Sequence, residues 1–379
     1  MIDDTDEARL RTRIGVKWSR YPADVLPAWV ADMDFPTAPP IAVALHAMVE
    51  RGDMGYPPDA ALSGLAARFV ERAQTRWGWD VDPALVTVLP DVVGGIEHAI
   101  TALTTQGDAV LVTTPIYPPF TRVVAACGRR LVDAPLLESG ALDLAAIERV
   151  VVGERVRIVL LCNPHNPTGH VPTADELGGL ATIAARHGVV VVSDEIHADL
   201  VYAGATHVPF ASLGPHASDQ AITLNSASKA FNIAGLRCAV SVAGSPSLHH
   251  RVVGSDPPHE PVGMAGIVAS LAAWSPDGDS WLADCLAMLD GNRRTVETWA
   301  AALGLGYRTP EATYLAWLDF RPLGINTAAS RVILERARVA LSPGADFGAA
   351  FGGFARLNFA TTPALLAEIL DRIGTALNA

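Results

Sequence analysis

This 379-residue chain has two lysines, Lys17 and Lys229, against 26 arginines, and Lys229 lies in the string LNSASKAFNIAGLR (224–237). Where a generic positive charge suffices the chain uses arginine, yet it keeps an amine here, between Ser228 and Ala230. An amine can lose its proton near neutral pH and attack a carbonyl; a guanidinium cannot. Other strings end apolar runs on polar groups. LLCNPHNPTG (160–169) is a Pro- and Gly-fixed turn that aims the Asn166 amide outward. VVVVSDEIH (189–197) closes on Asp194, with Glu195 and His197 beside it. A carboxylate there is costly to desolvate unless a cation meets it, although it could also be a simple helix cap. VLPDVVGGIEHAI (88–100) sets a helix start after a turn, where free N–H groups can hold a phosphate, and TTPIYPPF (113–120) carries Tyr117 between prolines. Taken singly, a Gly pair is an ordinary turn and a loop tyrosine an ordinary packed ring.

One ligand would use all of these groups together. It needs a phosphate for the turn at 91–95 and for Ser226 and Ser228, and an aromatic ring for Tyr117. It also needs a ring oxygen for Asn166, a protonated ring nitrogen for Asp194 and an aldehyde for Lys229. Pyridoxal 5′-phosphate has each of them. A carboxylate that keeps the pyridine nitrogen protonated makes that ring an electron sink.

With these residues in place, the chain resembles a fold-type I pyridoxal-phosphate enzyme of the aminotransferase superfamily, and within it the cystathionine β-lyase group of the MalY/PatB type. The strings that carry the resemblance are KWSRYPADVLPAWVADMDFPTAPP, GYP, TPIYPPF, LLCNPHNPTG, VVSDEIHADLVY, SASKAFNIAGLR, YLAWLDFR and RLNFA, in order from residue 17 to residue 360. The resemblance implies that Lys229 bonds the cofactor aldehyde, that Asp194 pairs with the ring nitrogen, and that Tyr117 stacks on the ring. Lys229, Asp194 and Tyr117 are thus the expected catalytic residues. Asn166 would bond the ring 3′-oxygen and border the substrate. Ser226, Ser228, Arg237 and the backbone N–H groups of Val92 and Val93 would hold the phosphate. Arg356, in RLNFA, would take the substrate α-carboxylate through a bidentate fork. Ala31 would line the substrate pocket. His197 stands where many relatives have a tyrosine, and is either a cofactor contact or a structural histidine beside the site. Tyr56 of GYP would reach the phosphate of a neighbouring subunit, which implies a homodimer with a shared active site. Ala227, Ala230 and Asp91-Val92-Val93-Gly94 depart from the usual pattern and bear on the details of the phosphate cup. No metal is implied.

The expected reaction is carbon–sulfur β-elimination from L-cystathionine or a related cysteine S-conjugate, giving thiol, pyruvate and ammonia. An aminotransferase would use the same residues, so the preference for a lyase comes from the resemblance. A regulatory protein that has kept the fold is the third reading; it would carry an added DNA-binding domain, for which no residues are left over.

Positioning such groups calls for a buried sheet. LVTVLP (85–90), AVLVTTP (109–115), RIVLLCNP (157–164), VVVVSDE (189–195), AITLNSAS (221–228) and RCAVSVAG (237–244) are apolar throughout, as strands covered on both faces are. Helical segments alternate with them, among them GGIEHAITALTT and a second running from a Thr173 cap to Gly188. The alternation predicts a three-layer αβα fold around a mostly parallel sheet, with ligands beyond the carboxyl ends of its strands. The large cofactor-binding domain is expected over 46–278. A smaller α+β domain is expected from 1–45 and 279–379, with no helix before about Pro40, a long helix from about 279, strands at YLAWLDF and RLNFAT, and a helix near 326–338. Residues 245–263 read as a solvated loop or as a border of the site entrance.

Half the residues are hydrophobic and 18% are charged, as in a well-packed globular protein. A net charge of −12 with no basic run argues against nucleic-acid binding. Four widely spaced cysteines without a CxxC pair read as reduced thiols. The acidic amino terminus has no apolar signal core, and no stretch approaches the ~20 apolar residues that span a bilayer, so a cytoplasmic location is expected.

Overall fold

The computed structural model of the protein describes residues 5–58, 63–254 and 262–378. Its strands in chain order begin with β1 (Leu26–Pro27), β2 (Val86–Leu89), β3 (Ala109–Val112), β4 (Arg130–Asp133) and β5 (Val156–Cys162). They continue with β6 (Val190–Asp194), β7 (Ala221–Asn225), β8 (Ala239–Ala243), β9 (Gly306–Tyr307) and β10 (Leu315–Asp319). The last are β11 (Val339–Ala340), β12 (Ser342–Pro343) and β13 (Phe354–Asn358).

Seven strands form one sheet in the order β2-β8-β7-β6-β5-β3-β4. Only β8 runs against the rest, antiparallel to both β2 and β7. β3, β6, β7 and β8 are buried along their whole length, so both faces of the sheet are covered and their apolar sequences follow. The parallel strands β3, β5, β6 and β7 all end at one edge, and there Cys162 of β5 pairs in register with Asp194 of β6. Because β8 is reversed, its beginning lies at that same edge, which brings Arg237 to the place where the other strands end.

A second sheet, β12-β13-β10-β9, is antiparallel throughout. β1 pairs in parallel with β11, which ties the amino-terminal segment to the carboxyl-terminal part of the chain. The helix Pro276–Leu303 and the helix Pro363–Asn378 pack against one another beside this sheet.

Three expectations need correction. Short helices at Glu7–Arg11 and Val16–Ser19 precede the one at Pro39–Glu50. The first is started by Asp6, which accepts from Arg9 N–H at 2.7 Å, and neither is long enough to show a period. β4 was not anticipated, because it is a four-residue edge strand with mostly exposed side chains. Part of the stretch 245–263 is the helix Pro246–Val253, capped by Ser245, with proline at its first position. Residues 255–261 of that stretch lie outside the described residues.

Candidate active site

The strand ends open onto a cavity of about 1050 Å³. It is lined by Ala31, by Val92 and Val93 of the turn after β2, by Tyr117, Asn166, Asp194, His197, Ser226, Ser228 and Lys229, and by Arg237 before β8. Ten of the expected site residues thus meet in one place along with Ala31. Tyr56 does not: its side chain is 98% exposed. Arg356 is not among the lining residues; it is buried and meets the cavity through its bond to Asn166.

Each group is held by its element. Asp194 ends β6, and its Oδ1 accepts from Ile196 N–H at 3.1 Å. Among the described residues no lysine or arginine stands within ion-pair distance of it. Burial therefore pushes its carboxyl up to about 7, with Glu195 adding to the rise, while the Ile196 N–H and Lys229 oppose it. Lys229 follows β7, and its Nζ donates to the Ala31 carbonyl at 3.0 Å. Burial lowers its affinity for a proton, against the pull of Asp32 and Asp194.

The Ala31 carbonyl also accepts from Tyr314 O–H at 3.0 Å. Three residues beyond Lys229, the Asn232 amide accepts from Met33 N–H at 2.8 Å and donates to Met33 O at 2.8 Å. The amino-terminal segment is therefore fastened to the lysine loop at two points, Ala31 and Met33. Neither Tyr314 nor Asn232 was singled out from the sequence; the polar Asn232 in the apolar run AFNIAG was the available signal.

Asn166 lies in a turn with cis peptides at Asn163–Pro164 and Asn166–Pro167. Its N–H donates to Cys162 Sγ at 3.4 Å, and its Oδ1 accepts from Arg356 Nη1 at 2.9 Å. Arg356 Nη2 donates to Trp29 O at 3.1 Å and Ser342 Oγ at 3.2 Å, and its guanidinium lies 4.9 Å from the Phe347 ring centroid. Its Nε is buried without an acceptor, and burial pulls its pKa down to about 10. A buried guanidinium with an idle donor suits an arriving carboxylate.

His197 is buried and T-shaped against Tyr314 at 6.4 Å, and its Nδ1 has no partner. Burial, with Lys229 and Arg356 nearby, drops its pKa to about 3, so it stays neutral. Of the two serines, Ser226 is already committed, donating to Cys238 O at 2.6 Å and accepting from Ser228 N–H at 3.1 Å. Ser228 is the freer hydroxyl. The cysteines are all free; Cys162 and Cys238 turn out to line the cavity and Cys127 is half-buried.

Residues 27–373 match the family described as aminotransferase class I and II. The chain belongs to that family. Relatives within it include the cystathionine beta-lyase of Corynebacterium glutamicum, 38% identical with 97% of this chain and 98% of the relative covered. Cystathionine beta-lyase PatB of Bacillus subtilis is 35% identical, with 99% of each chain covered. Among solved structures, the PLP-bound C-S lyase from Staphylococcus hominis has a TM-score of 0.92 at 28% identity, with 100% of this chain and 98% of that chain covered.

 

As in other α/β folds, this family member gathers its polar groups at the carboxyl edge of the sheet. No helix among the described residues is long and apolar enough to cross a membrane.

Proposed function

We propose that the protein is a pyridoxal-5′-phosphate-dependent carbon–sulfur β-lyase acting on L-cystathionine or a related cysteine S-conjugate, with thiol, pyruvate and ammonia as products. One observation carries the reading: Lys229, an amine with lowered proton affinity, shares a cavity with Asp194, a buried carboxylate that no cation among the described residues pairs. Relatives sharing 38% and 35% of residues are cystathionine β-lyases, which favours elimination.

The residues present fit the cofactor. Asp194 lacks the cation that a protonated ring nitrogen would be. Asn166 has its oxygen engaged by Arg356, which leaves its amide N–H group to donate to a ring oxygen. Tyr117 offers an aromatic face, and the Val92 and Val93 N–H groups, Ser228 and Arg237 offer donors for a phosphate. When bound, the pyridine ring supplies a sink for the electron pair left at Cα. Lys229 takes the Cα proton as general base, which its lowered proton affinity permits. Arg356 receives the α-carboxylate and thereby turns Cα–H toward Lys229.

The same reading makes the protein a cytoplasmic homodimer, in which Tyr56 serves the partner's phosphate. Its support is the exposure of Tyr56 together with Met54 (60%), Val43 (69%) and Val49 (56%) on neighbouring segments. It also divides the chain into a cofactor-binding domain over 46–278 and a small domain from 1–45 and 279–379.

The test is product analysis with L-cystathionine and no keto acid. Elimination restores the cofactor each cycle, so pyruvate and thiol should accumulate over many turnovers. A single equivalent of product, with recovery only on adding a keto acid, would replace this reading with amino-group transfer.

A further inference from the structure

The phosphate end of the cavity contains a negative charge. Asp91 caps the helix Val92–Leu103: its Oδ1 accepts from Gly94 N–H at 2.8 Å, and its Oδ2 is paired with Arg237 Nη2. Both residues line the cavity, and Arg237 is the only arginine to do so among the described residues. An aspartate makes a good cap because it satisfies a first-turn N–H and meets the positive end of the helix. At a helix end that receives a phosphate the same properties act against the ligand. The carboxylate has already taken one first-turn donor and the nearest guanidinium.

We propose that Asp91 is a built-in competitor for Arg237, and that it limits how tightly this site retains a phosphorylated ligand. The inference rests on the cofactor reading given above. The opposite role, in which Asp91 steadies Arg237 and so helps the phosphate, needs an immobile guanidinium. Arg237 is instead 60% exposed on its side chain, against 26% for Asp91. An exposed pair gives little positioning, whereas a carboxylate beside a bound dianion repels it. The incoming phosphate must share Arg237 with Asp91 or displace it.

The experiment compares pyridoxal 5′-phosphate with pyridoxal, which lacks the phosphate, binding to cofactor-depleted wild type, Asp91→Asn and Asp91→Ser by tryptophan fluorescence. Both substitutions keep an oxygen that can cap Gly94 N–H and remove the charge. Both variants should bind the phosphorylated form about tenfold more tightly and lose it more slowly on dialysis, with pyridoxal affinity unchanged. Unchanged or weaker binding of the phosphorylated form by both variants would overturn the proposal. If wild type does not prefer the phosphorylated form over pyridoxal, the cofactor reading falls, and this inference with it.

Discussion

The two lysines of the chain hold adjacent backbone carbonyls: Lys229 Nζ donates to Ala31 O at 3.0 Å, and Lys17 Nζ donates to Asp32 O at 3.0 Å. Their surroundings separate them. Lys17 is 4% exposed and closed by Asp34 at 2.8 Å, whose other oxygen accepts from Trp18 Nε1 at 2.7 Å. A compact ammonium with several donors suits that socket. Lys229 faces the cavity.

Borohydride reduction with pyridoxal 5′-phosphate bound should therefore label Lys229 and leave Lys17 unmodified. Peptide mapping checks this, and a label confined to Lys17 would sink the assignment. Lys17→Met should cost about 3–5 kcal/mol in denaturant unfolding, since Asp34 would remain buried without its cation.

Asp194 makes stability depend on pH. Its carboxyl is raised from 3.8 to about 7 in the folded protein, so it takes up a proton on folding within that window. Its contribution is full at low pH and is lost as pH rises through about 7. His197, lowered from 6.5 to about 3, acts in the opposite sense and contributes no slope above 6.5. The melting temperature of cofactor-depleted wild type should thus fall from about pH 6 to about pH 8 relative to Asp194→Asn. Parallel curves would place the titration elsewhere. In the loaded enzyme, Asp194→Asn should lower kcat by several orders of magnitude, because the ring nitrogen loses its counter-ion.

Much of this was legible in the sequence, for a physical reason. β5, β6 and β7 are buried on both faces, so their apolar runs stand out, and the polar residue that ends each run marks the sheet edge where Asn166, Asp194 and Lys229 meet. β4 and the helices at Glu7–Arg11 and Val16–Ser19 were not legible, being short and exposed or without a period. The contact of Arg356 with Asn166 joins residues 190 positions apart, which no local pattern encodes.

On the proposed reading, that contact gives Arg356 two duties. Arg356→Ala should lower kcat/KM for β-elimination by roughly 10²-fold or more, through lost carboxylate binding and poorer aim of Cα–H at Lys229. It should also loosen Asn166, so cofactor affinity in the absence of substrate should fall. Arg356→Lys can restore charge but not the planar fork, and is expected to recover little of kcat/KM. Full recovery by lysine would show that charge alone is what the site uses.

Tyr56 supplies the remaining test, because its side chain is 98% exposed while the cavity wall is built without it. If it serves a partner's phosphate, each active site draws Lys229 from one subunit and Tyr56 from the other. Subunits carrying Lys229→Ala are dead, and subunits carrying Tyr56→Phe should bind cofactor weakly. Mixed and reassociated, the two give a hybrid dimer with both defects in one site and neither in the other. Activity should then return to a fraction set by the share of hybrids, and titrating one variant against the other should give a maximum near equal amounts. Sedimentation of loaded wild type should show a dimer at micromolar concentration. No recovery on mixing, or a loaded monomer, would mean that Tyr56 serves no shared site.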